Sequence, residues 1–311
     1  ASRRHNFRHI RRIIVTDNIK RAAVIDIGSN SIRCALYAFD GESYSSSPKK
    51  LITTRLGEGL IESGALNERA MRDTLDAAAT FAKEADECGI RVFAYATSAV
   101  RDASNGGEFV KTLAAATGAS VDVLSGEREA RYAYDGAVGD AGGGLIDIGG
   151  GSTQITTQSF CTSAPMGCVR ARDLTKGAAS LSELRTNIED ALGRMLKLPK
   201  LDEDRWTGVG GTITTLAALS LGMESYDPER IKDAVITPDS LEGLIEELDR
   251  MGEKRRHHPL LVKRHDVIIC GAAILAYEMR VIGAKEIHAA DSDGMEGYFM
   301  HIAKSILGSL D

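Results

Sequence analysis

Apolar positions along the chain fall into short unbroken runs that alternate with longer stretches of helical period. From Ala22 an apolar run reads as a buried strand, residues 31–39 as a second, with Asp40-Gly41 turning the chain and residues 51–56 extended again. Met71, Leu75, Ala78, Ala82 and Ala85 recur at helical spacing behind Asn67, a good N-cap, and the pattern stops at Gly89. Residues 92–97 alternate as a strand does and run into a helix start at Ser98-Ala99-Val100-Arg101. A helix near 109–116, a strand at 121–124 and a helix opened by Ser125-Gly126 follow.

The second half begins as the first did. Two strands flank Gly149-Gly150-Gly151, and helices are predicted over 180–196, 213–221 and 240–251. A strand at 206–209 leads into Gly210-Gly211-Thr212. A basic loop, an apolar helix from Asp266, a strand at 286–290 and an amphipathic helix from Met295 complete the chain. Strands first and helices after, twice over, predict two α/β lobes facing a cleft. The expected division is a basic extension over residues 1–20, a first lobe over 21–140 and a second over 141–311, with the last helix packing back on the first lobe. A hinge is expected at 140–143.

The two openings are nearly one text. Val24-Ile25-Asp26-Ile27-Gly28-Ser29-Asn30-Ser31 and Leu145-Ile146-Asp147-Ile148-Gly149-Gly150-Gly151-Ser152-Thr153 each run an apolar strand into a carboxylate and then a turn of small residues. Such a strand carries one Asp to the top of a sheet, and the turn presents backbone N–H groups and small hydroxyls to a phosphate. A single copy is weak, because glycine turns usually only reverse the chain. Two copies point to a duplicated domain with phosphate held between the halves.

Bulk properties narrow the reading further. The formal net charge of −6 argues against a general nucleic-acid binder, which needs a broad basic face, but leaves room for a local basic funnel. Five cysteines with no CxxC pair argue against a disulfide framework or a zinc site and favour a reducing cytoplasm. No apolar run approaches the ~18 residues of a membrane span. The first twenty residues are basic without the apolar core of a signal peptide, so they are expected to be an extension rather than a targeting segment.

Duplicated Asp-plus-glycine-turn lobes are the pattern of the actin, sugar kinase and Hsp70 superfamily. Within it, residues 25–33 (Ile-Asp-Ile-Gly-Ser-Asn-Ser-Ile-Arg), 96–105 (Ala-Thr-Ser-Ala-Val-Arg-Asp-Ala-Ser-Asn) and 124–131 (Leu-Ser-Gly-Glu-Arg-Glu-Ala-Arg) resemble the exopolyphosphatase/guanosine pentaphosphate phosphohydrolase (Ppx/GppA) family. Residues 147–153, Met166-Gly167-Cys168-Val169-Arg170 and Gly210-Gly211-Thr212 follow in that family's order. The resemblance implies two ribonuclease-H-like, actin-like lobes and hydrolysis of a terminal phosphoanhydride. Inorganic polyphosphate is the first expected substrate and pppGpp the alternative, with no nucleic acid, no membrane and room for a homodimer.

The resemblance also assigns roles. Glu129 matches the glutamate that positions and activates water; its bland reading is an acid complementing a helix N-terminus, as is that of Glu127. Arg101 is the expected cation near the developing charge. Gly28, Ser29, Asn30 and Ser31, then Gly149, Gly150, Gly151, Ser152 and Thr153, then Gly210, Gly211 and Thr212 are the expected phosphate donors, the last set at a helix N-terminus. Mg²⁺ is the implied cofactor, with Asp147, Asp26 and Gln154 as its candidate ligands. The family usually has Glu at the place of Gln154, and an amide can ligate but adds no charge. The family ending Ser-Asp-x-Gly-Leu-Arg-Glu-Gly is here Ala290-Asp291-Ser292-Asp293-Gly294-Met295-Glu296-Gly297, without the Arg. Lys254, Arg255, Arg256, Lys263 and Arg264 form a basic loop suited to a polyanion, against the default of a solvated charged loop. Two rival classes are a kinase of the same superfamily, which the 125–131 motif disfavours, and a non-catalytic alarmone sensor, which only Gln154 favours.

Overall fold

The computed structural model describes residues 20–232 and 234–307. Of the basic extension only Lys20 is included, as the first residue of a strand; residues 1–19 lie outside the described residues. The first sheet contains β1 (Lys20–Ile27), β2 (Ser31–Phe39), β3 (Tyr44–Ser46), β4 (Lys50–Thr53), β5 (Val92–Ala96) and β6 (Ser120–Val123), in the order β3-β2-β1-β5-β6 with β4 also on β2. The second contains β7 (Gly144–Ile148), β8 (Thr153–Thr156), β9 (Cys161–Ala164), β10 (Trp206–Val209), β11 (Val235–Ile236) and β12 (Ile287–Ala289), in the order β11-β12-β10-β7-β8-β9. Removing β11 leaves β9-β8-β7-β10-β12, which repeats the first sheet's order. The senses repeat too: β1 is antiparallel to β2 and parallel to β5, and β7 is antiparallel to β8 and parallel to β10. Each lobe is thus ribonuclease-H-like, and the pair has the actin-like architecture expected from the duplication.

Central position explains the apolar runs. β1 and β7 are flanked on both sides and covered on both faces, so they read as continuous hydrophobic strings rather than alternating ones. The helices are α1 (Leu60–Ser63), α2 (Glu68–Asp86), α3 (Ser98–Asp102), α4 (Gly106–Thr117) and α5 (Gly126–Ala137), then α6 (Cys168–Leu174), α7 (Leu181–Met195), α8 (Gly210–Ser220), α9 (Pro228–Ile231), α10 (Pro238–Met251), α11 (Ile268–Ile282) and α12 (Gly294–Leu307). Asn67 Oδ1 caps α2, accepting from Arg69 N at 2.9 Å and Ala70 N at 3.3 Å. The buried stripe of α2 is Ala70, Thr74, Ala77, Ala78, Phe81, Ala82 and Ala85, so Met71 and Leu75 lie at its margin rather than at its centre. Among the described residues no helix is long and apolar enough to cross a membrane.

Two helices join the lobes. α5 leads from β6 to β7, and α12 returns from β12 to pack on β1 and α5. Its Phe299 stacks on Tyr37 with ring centroids 4.7 Å apart, and Met295, Tyr298 and Ile302 fill a core with Val24, Ala35 and Tyr95. The helices cross at glycines: a Cβ on Gly297 would stand 1.9 Å from Tyr132 O, and one on Gly136 2.0 Å from Asp293 O. Where a hinge was expected, a 3₁₀ turn (Gly139–Ala141) is followed by Gly142 and Gly143, with φ of 75° and 99°.

A charge cluster fastens the start of α12. Arg33 of β2 pairs with Asp26 of β1 and with Asp293, its Nε donating to Asp26 Oδ2 at 2.9 Å. Lys49 lies 3.3 Å from Asp293 Oδ2 and 3.1 Å from Glu296 Oε2, and Tyr37 donates to Glu296 Oε1 at 2.9 Å. Although burial opposes it, Arg33 and Lys49 hold the Asp293 carboxyl well below the usual range. Burial pushes the Asp26 carboxyl up, against the pull of Arg33.

Arg33→Met leaves Asp26 and Asp293 buried without their guanidinium and is expected to cost about 3–5 kcal/mol, measured as a lower urea midpoint. Gly297→Ala is expected to cost about 1–3 kcal/mol by overpacking the α5–α12 crossing. An unchanged melting temperature in that variant would show that the helices separate freely.

Candidate active site

The two small-residue turns face each other across the lobes. Each hairpin closes with the same bond: Gly28 N donates to Ser31 O at 3.1 Å, and Gly149 N to Ser152 O at 3.0 Å. Their carbonyls are the anchored groups. Ser29 O accepts from Gly57 N at 2.8 Å, and Asn30 O from Arg55 N at 3.0 Å. Gly149 O accepts from Cys168 N at 3.0 Å, and Gly150 O from Val169 N at 2.8 Å. The N–H groups of Ser29, Asn30, Gly150 and Gly151 make no hydrogen bond among the described residues. The turns nearly touch, since a Cβ on Gly151 would stand 2.2 Å from Ser98 Oγ and 2.6 Å from Ser29 Oγ. Close approach, rather than backbone strain, is what glycine supplies there.

Beside them opens a cleft of about 610 Å³, lined by both turns, Glu129, Asp147, Gly210, Gly211, Lys263 and Arg264 among others. Ser125 caps α5, its Oγ accepting from Arg128 N at 3.2 Å, and this sets Glu129 in the first turn. Glu129 faces the cleft while Glu127 is exposed outside it. Burial pushes the Glu129 carboxyl up to about 8, with Arg101 opposing and Asp147 adding. Asp147, at the end of β7, is pushed up to about 7 by burial, with Asp293 adding.

The structure places Arg101 differently from the expectation. It is absent from the cleft lining; its Nη1 is shared between Leu124 O at 2.7 Å and Glu129 Oε2 at 3.2 Å. Arg101 therefore holds Glu129 directly, through an ion pair at the start of α5. The Thr212 side chain is likewise turned inward, against Gly271, leaving the backbone of Gly210 and Gly211 at the uncapped start of α8. Thr153 and Gln154 are fully buried under the second turn.

The basic loop divides. Lys263 and Arg264 line the cleft, and the Arg264 guanidinium lies over Gly211, where a Cβ would be 1.9 Å from its Nη2. Arg264 has no acidic partner among the described residues, and burial beside Arg33 lowers its proton affinity. Lys254, Arg255 and Arg256 sit apart on a 3₁₀ turn (Gly252–His257): Arg256 pairs with Glu253 at 2.7 Å, and Arg255 Nε donates to Gly252 O at 2.9 Å. These three belong to the second lobe's own surface and interior, and local partners claim Arg255 and Arg256.

A further ion-pair cluster bridges the lobes outside the cleft lining. Arg55, in the left-handed region at φ 54°, donates to Asp266 through Nη1 at 2.5 Å and Nη2 at 3.1 Å, and Arg172 Nη1 reaches the same carboxylate at 2.8 Å. Arg55 belongs to the first lobe and the other two to the second. No sequence pattern marks any of the three, because the cluster joins residues far apart in the chain.

The candidate metal ligands separate on the same geometry. Among the described residues no group of three His, Cys, Asp or Glu side chains forms a metal cage. Asp26 is committed to Arg33 and is an ion-pair residue here, since a cation beside it would meet the guanidinium. The Asp147 carboxylate accepts no hydrogen bond among the described residues. Gln154 is its cross-strand partner on β8 and shares its face of the sheet. Gln154 Nε2 donates to Ser152 Oγ at 3.0 Å and Ser163 Oγ at 3.3 Å, while its buried Oε1 has no partner. One carboxylate and one orphaned amide oxygen, completed by phosphate and water, suit Mg²⁺, which takes few protein ligands at a phosphate site.

A family model described as the Ppx/GppA phosphatase family matches residues 46–306. Exopolyphosphatase 2 of Mycobacterium tuberculosis is 31% identical over 317 aligned positions, covering 92% of this chain and 99% of that protein. The Aquifex aeolicus PPX-GPPA enzyme superposes with a TM-score of 0.72 at 28% identity, over 91% of this chain and 99% of that one. A structure titled an exopolyphosphatase-like protein gives 0.85 at 22% identity over 93% of this chain and 99% of its own, a likeness of fold. With that fold, the duplicated turns and a family match spanning most of its length, this chain belongs to the Ppx/GppA phosphatase family.

Proposed function

We infer that this protein is an exopolyphosphatase, releasing the terminal phosphate of inorganic polyphosphate by hydrolysis. The observation that carries the reading is Glu129: a carboxylate half-hidden at the start of α5, steadied by Arg101, facing a cleft walled by two turns with unspent N–H groups. Hydrolysis of a phosphoanhydride needs an aimed water, a base for it and donors for the phosphoryl oxygens, and little else. Family membership and the exopolyphosphatase relative support the same chemistry.

In this reading the terminal phosphoryl group takes the N–H groups of Ser29, Asn30, Gly150 and Gly151, and the next phosphates run toward Arg264, Lys263 and the start of α8. Glu129 takes the proton of the attacking water as its oxygen bonds to phosphorus. The bridging P–O bond breaks, and the shortened chain leaves with the bonding electron pair. Asp147, with Gln154 beside it, would hold Mg²⁺, which supplies charge neutralisation at the phosphoryl oxygens when bound. pppGpp is the second reading, favoured by an apolar lip of Leu51, Tyr226, Pro259, Leu260 and Val262 that a bare polyphosphate chain does not use and a nucleoside can cover.

Phosphate release from polyphosphate and from pppGpp, with and without Mg²⁺, tests the reading; release from neither overturns it. Glu129→Gln is expected to lower kcat by roughly 10²-fold or more with substrate still bound. Because the base must be ionised and burial raises its affinity for protons, the wild-type rate should climb with pH toward about 8 rather than level off near 5.

Gln154→Glu adds a full charge beside Asp147 and should lower the Mg²⁺ concentration giving half-maximal rate, whereas Asp147→Asn should raise it by more. A metal titration in which Gln154→Glu matches the wild type removes position 154 from the metal site.

A further inference from the structure

Glu278 is the only acid in α11, a helix otherwise almost entirely apolar, and it is fully buried. Its Oε1 lies 2.8 Å from Thr153 Oγ1, and its Oε2 has no partner among the described residues. An ionised carboxylate so enclosed is expensive, and nothing cationic answers it. The same Thr153 Oγ1 lies 3.1 Å from the carbonyl oxygen of Asp147.

A hydroxyl has one proton to give. If Thr153 donates to Glu278, its contact with the Asp147 carbonyl carries no proton and half of a buried carboxylate stays bare. If Thr153 donates to the Asp147 carbonyl, Glu278 must supply the proton of the bond it shares with Thr153. The second arrangement satisfies every group except one neutral carbonyl oxygen, which is far cheaper to leave unpaired than a charge. Burial pushes the Glu278 carboxyl up to about 8, with the Thr153 bond opposing, so the acid carries that proton at neutral pH.

We propose that Glu278 is a positioning residue for the reaction: it donates to Thr153 Oγ1, the Thr153 hydroxyl donates to the Asp147 carbonyl, and this relay fixes both the strand end that carries the Asp147 carboxylate and the turn above Thr153 that receives phosphate. The relay joins three elements, α11, β8 and β7, directly beneath the second turn. It rests on the reading of that turn and Asp147 as the phosphate site.

The test compares Glu278→Met, Glu278→Leu and Glu278→Gln. The apolar replacements remove the donor and also a buried acid, so they are expected to melt no lower than the wild type while kcat falls roughly 10-fold or more through misplacement. Glu278→Gln keeps an N–H donor at the same reach and should recover most of that loss, a pattern that a role in stability alone does not produce. Thr153→Val combined with Glu278→Met should be no worse than either single change, because both break one relay. Calorimetric titration of inorganic phosphate into each variant gives a readout that does not depend on turnover; weaker phosphate binding in the Met and Leu variants, restored in Gln, supports the relay. Wild-type kcat and phosphate affinity in Glu278→Met or Glu278→Leu overturns it, as does a Glu278→Gln as impaired as they are. A wild type that binds phosphate with this pattern yet releases none from polyphosphate keeps the relay and overturns the proposed substrate.

Discussion

Arg33 between Asp26 and Asp293 is the interaction on which the site's geometry depends. Removing three charges from water is costly, and the cost is offset only because the groups are close and hydrogen-bonded, with Lys49 balancing the second acid. The pairing ties the end of β1 to the start of α12. α12 in turn lies across α5 at Gly136 and Gly297, and α5 carries Glu129 at its first turn. The position of the proposed base is therefore set partly from a segment more than 150 residues away in sequence. The same pairing decides which strand-end carboxylate is free: Asp26 is consumed, and Asp147 is left without a hydrogen bond to its carboxylate among the described residues.

Much of this fold was legible because buried central strands leave a strong trace. β1 and β7 each appear as an apolar string broken by one Asp and closed by a small-residue turn, and the matching hairpin bonds follow from that match in sequence. Helix faces were read less well where alanine dominates. In α2 the expected Ala78, Ala82 and Ala85 are buried, but alanine offers little contrast, so the pattern takes in Met71 and Leu75 and leaves out Ala70, Thr74, Ala77 and Phe81. β9, spelled Cys-Thr-Ser-Ala, carries no apolar period; it is a strand because β8 offers an edge to pair with.

The site was legible to the level of segment, not of side-chain direction. Sequence spacing places Arg101 at the end of α3 and Glu129 at the start of α5, but only the parallel pairing of β5 with β6 brings those two ends together. Direction was equally hidden for Thr212 and Thr153, small polar residues in phosphate-type turns whose hydroxyls point into the lobe. In the basic loop, composition grouped five cations that the chain separates, because Glu253 and Gly252 hold Arg256 and Arg255 within a single turn while Arg264 continues to the cleft.

That separation bears on how an acidic protein receives a polyanion. The cleft floor holds Asp26, Asp147, Asp293 and Glu129, and Arg33 and Lys49 are already balanced by acids. The attraction must come from Arg264, which has no acidic partner among the described residues and lies over the open start of α8, whose N–H groups add a partial positive charge. Fixed donors, the Arg264 guanidinium and the raised-affinity carboxyls of Glu129 and Asp147 line one cleft, so proton uptake depends on what occupies it. An anion entering alone raises the proton affinity of Glu129 further and disarms it as a base; a cation beside Asp147 lowers it and arms it. On the proposed mechanism the readiness of Glu129 is thus a property of the filled cleft, set by the charge balance that substrate and any bound metal would bring to it together.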